Sequence, residues 1–157
     1  MSTGDSDMTI GPAVPGDLPR ILEIRYAAFA RHAPSAYSPQ EVQTLLGDVD
    51  PDEIASMITG RTVFVAREAG HTLGCAGWQG ERLRHVYVDP RAGRRGIGTA
   101  LLATVETDFG TRTGRTHLHA GVALHAEGFY RANGYQVLRR ARDWDGSSYL
   151  EMRKPLP

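Results

Sequence analysis

The chain reads as an α+β fold, a mixed sheet with helices on both faces, and three observations predict it. Apolar residues recur at helical spacing up to Gly60 and then give way to short β-branched and aromatic runs. Those runs are separated first by tight turns and later by helical stretches, which implies hairpins and a helical crossover in one sheet. At 157 residues the chain has the size of one compact domain. Such a domain buries about two-thirds of its unfolded surface and needs no disulfide staple.

Residues 1–8 are small, polar and acidic and predict a disordered tail, with structure starting near Thr9 and a single domain filling 9–157. Asp17 as N-cap and Pro19 in the first turn open a helix running to about Arg31, with Ile21, Leu22, Ile24, Ala28 and Phe29 as its apolar set. Ser38-Pro39-Gln40-Glu41 has the form of a capping box, in which serine caps, proline takes the first helical position and Glu41 reaches back. Two short helices follow, over 39–47 and 51–59. Residues 62–66, between Gly60 and Gly70, then make a strand, and 73–79 and 83–88 complete a meander closed by Asp89-Pro90. The pattern after that predicts a helix over 99–109 ending before Gly110, a strand over 117–120, a helix over 124–132, and strands over 135–139 and 148–153.

Eighteen basic and eighteen acidic residues leave a formal charge of zero, which removes the electrostatic footprint expected of a nucleic-acid or anionic-membrane partner. The charge is unevenly spread, with nine acidic against three basic residues up to Gly60 and nine against fifteen beyond it. That layout suits a cationic partner on one side and a polyanionic cofactor on the other, and suits a patchy solvated surface equally well. The one cysteine, Cys75, lies in the apolar run 73–78 and is expected as a buried small hydrophobe. No apolar run approaches about 18 residues and no leader-like segment opens the chain, so the expected setting is the cytoplasm.

The most informative segment is Val88-Asp89-Pro90-Arg91-Ala92-Gly93-Arg94-Arg95-Gly96-Ile97-Gly98-Thr99, which joins a strand to a helix. Glycines at 93, 96 and 98 let the backbone approach a ligand, and the unpaired N–H groups at the positive end of the following helix favour a phosphate. Arg91, Arg94 and Arg95 add cationic side chains around the same mouth. A dinucleotide fingerprint fails here, because counting from Gly96 gives Gly98 and then Leu101. A P-loop fails because the only lysine is Lys154.

This segment resembles the phosphate-binding motif of the GNAT superfamily of acyl-coenzyme A-dependent N-acyltransferases, Gln/Arg-x-x-Gly-x-Gly/Ala after a strand ending in Val-x-Pro. Ala126-Glu127-Gly128-Phe129-Tyr130-Arg131-Ala132-Asn133-Gly134-Tyr135 is similar to the superfamily's second signature, and the resemblance covers about residues 9–156. It implies a mostly antiparallel sheet of about six to seven strands flanked by about four helices. It also implies acetyl-coenzyme A as acyl donor, without a metal, and a primary amine on a small molecule or peptide as acceptor. A homodimer is compatible with it; nucleic acid and membrane partners are not expected.

The same resemblance implies that Arg94, Arg95, Gly96, Ile97, Gly98, Thr99 and Phe129 hold the cofactor, and that free backbone amides around Val86 and Val88 meet its acetyl and pantetheine groups. Tyr130 would protonate the departing thiolate, a role whose structural alternative is a core tyrosine bonded to a carbonyl. The early helices would wall the acceptor pocket with Tyr26, Phe29, His32 and Tyr37, opposite Trp78. Three positions depart from the family pattern: Gly93 replaces the Gln/Arg, Ala123 replaces a frequent asparagine, and Arg82 occupies a slot where several members carry a glutamate or histidine base. Arginine holds its proton at neutral pH, so His85 and His119 become the candidate bases, with Glu81 or a water chain as further options. Alternation puts His85 on the face opposite Val86 and Val88 unless a bulge reverses it. His117, His119 and His125 lack cysteine or carboxylate partners nearby, so no metal site is expected. An acyl-coenzyme A-binding domain without catalysis, or an interaction protein with an empty cleft, stands as the rival reading.

Overall fold

The computed structural model describes residues 7–93 and 95–157. The expected tail therefore lies outside the described residues, apart from Asp7 and from Met8, which opens the first strand. In chain order the elements are β1 (Met8–Pro12), α1 (Leu18–His32), α2 (Pro39–Gly47), α3 (Pro51–Thr59), β2 (Val63–Glu68), β3 (His71–Gln79) and β4 (Arg82–Val88). There follow α4 (Ile97–Thr113), β5 (His117–Ala123), α5 (Glu127–Ala132), β6 (Gln136–Arg142) and β7 (Ser148–Pro155). One seven-stranded sheet has the order β1-β2-β3-β4-β5-β7-β6. Its pairs are antiparallel except β4 with β5, which α4 joins as a parallel crossover. The α+β class and the mostly antiparallel sheet are as expected, with five α-helices rather than about four.

The helices divide between the two faces. On one, Leu101, Leu102, Val105 and Phe109 of α4 pack on Ala76, Leu118, Ala120 and Met152 of the strands. On the other, Ile21 of α1 and Ile54, Met57 and Ile58 of α3 pack on Val63, Val65 and Cys75. Cys75 is fully buried as expected, and burial pushes its thiol up to about 12, which keeps it protonated and unreactive.

Two local expectations are corrected. α4 does not stop before Gly110; it continues to Thr113 and ends on Gly114, whose φ of 70° is the left-handed cap that a helix C-terminus favours. A glycine inside a helix costs only about 1 kcal/mol, and the buried Phe109 beside it holds that turn on the sheet. Nor does Asp17 cap α1. Its carboxylate accepts from Val14 N at 2.8 Å and from Arg67 of β2 at 2.6 and 2.8 Å, tying the loop before α1 to the sheet. Burial alone would raise that carboxyl, but Arg67 and the Val14 N–H hold it below its ordinary value.

The capping box forms as read: Ser38 Oγ accepts from Glu41 N at 3.2 Å, and Glu41 Oε1 accepts from Ser38 N at 2.8 Å. Ser38→Ala is expected to lower the unfolding free energy by about 1 kcal/mol. Urea melts should show an earlier midpoint at unchanged slope, and an unmoved midpoint would leave α2 held by packing alone.

What positions the site is a parting of the sheet. β4 and β5 pair only at Arg82–His119 and Leu83–Ala120, so the rest of β4 diverges from its parallel neighbour. The β3–β4 register passes from Cys75–Tyr87 to Gly77–Arg84, three steps on β4 against two on β3. That extra residue is a bulge, and within it His85 takes a φ of 57°.

Candidate active site

The glycine loop delivers the start of α4 to the mouth of this parting. Gly96 has a φ of 75°. The first amide to find a carbonyl within the helix is Ala100 N, on Gly96 O at 3.0 Å, so the N–H groups of Ile97, Gly98 and Thr99 lack intrahelical acceptors. A Cβ on Gly98 would stand 2.8 Å from Phe129 Cζ; glycine there lets α5 close against the helix start. Oriented amides, the positive end of a 17-residue helix and a close aromatic wall fit an anionic ligand of the pyrophosphate kind.

A cavity of about 1040 Å³ runs from this cradle along the open part of β4 to the α1–α2 region and the β6–β7 hairpin. Gly96, Ile97, Gly98, Thr99 and Phe129 line it at one end, with Val86 and Val88 along its length. Tyr130 also lines it, its ring edge-on to Phe129 at 5.2 Å and to Tyr135 at 5.5 Å. Among the described residues the buried side-chain polar atoms without a partner are His125 Nδ1 and Asp145 Oδ2, so the Tyr130 hydroxyl is not a buried orphan. Burial, with smaller contributions from Tyr87 and Cys75, pushes its phenol above the ordinary range, and it stays protonated at neutral pH.

The far end is built by α1, the end of α2 and the bulge, with α3 packed behind the bulge. Leu83, Val86 and Val88 pack towards α4 and Tyr87 towards α1 and α3, so the extra residue between Leu83 and Val86 sends both Arg84 and His85 to α3. There Glu53 Oε1 meets His85 Nε2 at 2.7 Å and Arg84 Nη2 at 2.8 Å, while His85 Nδ1 lies 3.0 Å from the Tyr87 hydroxyl. His85 thus stands opposite Val86 and Val88, as alternation predicts. Burial pushes its pKa below 6.5, against the pull of Glu53. Arg25, itself buried, donates to the carbonyls of Leu45, Leu46 and Asp48 and holds the end of α2 over the cavity.

Of the other residues read from the sequence, Phe29 and Tyr37 line the cavity. Tyr37 is also a strut, donating to Ser148 O at 2.7 Å and accepting from Leu124 N at 2.9 Å. Several residues do not reach the cavity. Tyr26 is 58% exposed on the outside of α1. Trp78 sits in the core under α4, edge-on to Phe109, its indole N–H donating to Asp108 at 2.8 Å; it is not opposite the acceptor helices, because its strand position faces α4. His119 flanks the closed part of the sheet beside Arg82, and Glu81 pairs with Arg115 on the exterior. Arg95 turns back to Glu68 of β2, with Nη1 3.0 Å from Oε1. Arg94 lies outside the described residues.

Sequence reasoning missed Glu53 and Tyr87, and weighed His125 only as a metal ligand. His125 lines the cavity with its ring edge-on to Phe29 at 5.6 Å, and burial lowers its pKa. Its position immediately before the α5 signature was the available signal. Arg82, which replaces the base of the family pattern, makes a bidentate pair with Glu151 of β7 at 2.8 and 3.0 Å, and its guanidinium occupies the space a Cβ on Gly121 would need. Among the described residues no cluster of three His, Cys, Asp or Glu could hold a metal ion, and no helix is long and apolar enough to cross a membrane.

Comparison with known proteins now bears on this geometry. No curated protein matches the chain. Among solved structures, a GCN5-related N-acetyltransferase from Rhodopseudomonas palustris is similar over 99% of this chain and 98% of its own, with 24% identity and a TM-score of 0.87. The PaiA N-acetyltransferase of Thermoplasma acidophilum, solved with coenzyme A, is similar over 95% of this chain and 99% of its own, with 18% identity and a TM-score of 0.72. An aminoglycoside 6'-N-acetyltransferase, also solved with coenzyme A, covers 95% of this chain and 98% of its own at 15% identity and a TM-score of 0.71. At these identities the likeness establishes the fold. The acetyltransferase (GNAT) domain family matches residues 34–156, and with the glycine cradle, the parted strands and the α5 tyrosine in place, the chain belongs to that family.

Proposed function

We propose that the protein is an N-acetyltransferase that moves the acetyl group of acetyl-coenzyme A to a primary amine by direct attack of the amine on the thioester. The observation that carries this reading is one continuous cavity joining the amide cradle of α4, the Tyr130 hydroxyl and the His85–Tyr87 wall. The two similar acetyltransferases solved with coenzyme A support the donor, and the aminoglycoside enzyme among them supports an amine acceptor. Acetyl-coenzyme A supplies the activated acetyl group. The chain orients it through the amides of Ile97, Gly98 and Thr99, polarises its carbonyl through the free backbone around Val86 and Val88, and supplies a proton at Tyr130 Oη. Removal of the amine's proton falls to the His85 side of the cavity. Such an enzyme would work in the cytoplasm, where its donor is made and used.

The test is thiol release from acetyl-coenzyme A against a panel of amines, alongside thermal shift with acetyl-coenzyme A alone. Amine-dependent release above hydrolysis is the expected result. A clear thermal shift without release by any amine would replace the enzyme with a binding domain.

A further inference from the structure

We propose that Tyr87, His85 and Glu53 form a proton relay in which the Tyr87 hydroxyl receives the acceptor's proton and His85 acts only through it. The inference rests on the acetyltransferase reading above and deepens it. Both ring nitrogens of His85 are already engaged, Nε2 by Glu53 Oε1 at 2.7 Å and Nδ1 by Tyr87 Oη at 3.0 Å. An ionised carboxylate only accepts, so Nε2 carries the proton, and Nδ1 of the neutral ring must then accept from the tyrosine hydroxyl. No ring nitrogen is left for an acceptor amine. The group with a remaining lone pair to offer is the oxygen of Tyr87, a cavity-lining residue that Arg25 also faces and that is close enough to Tyr130 to bear on its ionisation.

The ring sits on a β-bulge, at a φ of 57° that a β-strand does not otherwise use, and α3 supplies its carboxylate from 32 residues away in sequence. The proton balance is simple. An N–H bond of the acceptor ammonium breaks as an O–H bond forms on Tyr87, and the original Tyr87 proton moves to His85 Nδ1. The positive charge passes from ammonium to imidazolium, where the Glu53 carboxylate faces it, and the proton leaves to solvent past Glu53, whose side chain is 26% exposed. Tyr87 begins and ends neutral, as a phenol raised to about 12 by burial requires. Glu53 and His85 are positioning residues; Tyr87 alone touches the acceptor.

The charged and titratable groups facing His85 are Glu53 of α3, Arg25 of α1, and Arg84 and Tyr87 of β4, with Cys75 of β3 donating to its carbonyl at 3.1 Å. Burial, Arg84 and Arg25 lower its pKa and Glu53 raises it. The rate should therefore climb with pH through a midpoint below 6.5. Glu53→Gln should move that midpoint down and Arg84→Met should move it up, although both break the same ion pair, and a purely structural pair would move neither in opposite senses.

The experiment combines ¹⁵N NMR titration of His85 with kinetics on an active amine, all in the full chain. The relay predicts an Nε2–H tautomer at neutral pH and the two opposed shifts. It also predicts that Tyr87→Phe loses about tenfold or more in maximal rate, with the acid limb flattened. Tyr87→Phe combined with His85→Gln should be no slower than the worse single variant, within about twofold, because the two act in series. Tyr87→Phe at parental rate and pH profile, fully additive losses, or an Nδ1–H tautomer each overturn the relay. A parent that releases no thiol with any amine overturns the acetyltransferase reading itself, and the two failures are thereby distinct.

Discussion

Tyr130→Phe is expected to lower the maximal rate of amine-dependent thiol release by roughly 10²- to 10⁴-fold while leaving acetyl-coenzyme A affinity nearly unchanged. The substitution removes one oxygen and keeps the ring, so the edge-on contacts with Phe129 at 5.2 Å and Tyr135 at 5.5 Å persist and the cradle keeps its shape. What is lost is a proton donor that burial keeps protonated at neutral pH. Ordinary binding interactions strengthen the ground and transition states alike; a proton delivered to a departing thiolate appears in the transition state only. Single-turnover rates with equilibrium binding of the donor separate the two effects. A variant with the parental rate, measured where chemistry limits turnover, would make Tyr130 a packing residue.

Gly96→Asp is expected to weaken donor binding sharply at a modest cost to the fold. Aspartate tolerates the left-handed φ of 75° better than most residues, so the strain of a side chain there costs about 1 kcal/mol and α4 still forms. No atom lies within 4 Å of the Cβ it would add. Yet the new carboxylate competes for the amides offered to the pyrophosphate and places negative charge beside it. At about 5 Å and an effective dielectric near 20, that repulsion is about 3 kcal/mol, or roughly a hundredfold in affinity. Calorimetric titration checks the loss and a thermal melt without ligand checks the fold. Equal donor affinity in a folded variant would move the pyrophosphate away from α4. Gly98→Asp is the poorer probe, because its Cβ would already meet the Phe129 ring at 2.8 Å and packing and charge would fail together.

Much of this architecture was legible because it is local. The change of period after Gly60, the Ser38–Glu41 box and the glycine loop leading into α4 each act within a few residues; the first two appear where they were read, and α4 starts two residues earlier, taking Gly98 into its first turn. The glycine cradle at the start of α4 was legible for the same reason. The opposite end of the cavity was not, since it depends on contacts between distant segments. Nothing near His85 announces Glu53, and the bulge that sends both Arg84 and His85 to α3 follows from the β3–β4 register. Trp78 shows the reverse failure: an aromatic read as an acceptor wall lies under α4, because which side of a strand meets which helix is settled by topology.

The sheet order leaves β1 and β6 outermost, and this bears on how the protein behaves at high concentration. An outer strand with unpaired N–H and C=O groups is a template for adding another chain, the first step of β-aggregation. β1 is five residues long and ends in Pro12, which has no N–H to offer. β6 carries Arg139, Arg140 and Arg142, all exposed, so two copies meeting edge to edge along it would bring six guanidinium groups together. Salt screens that repulsion over about 10 Å at 0.1 M. Colloidal stability should accordingly fall as ionic strength rises, with the arginines of β6 serving as gatekeepers of that edge.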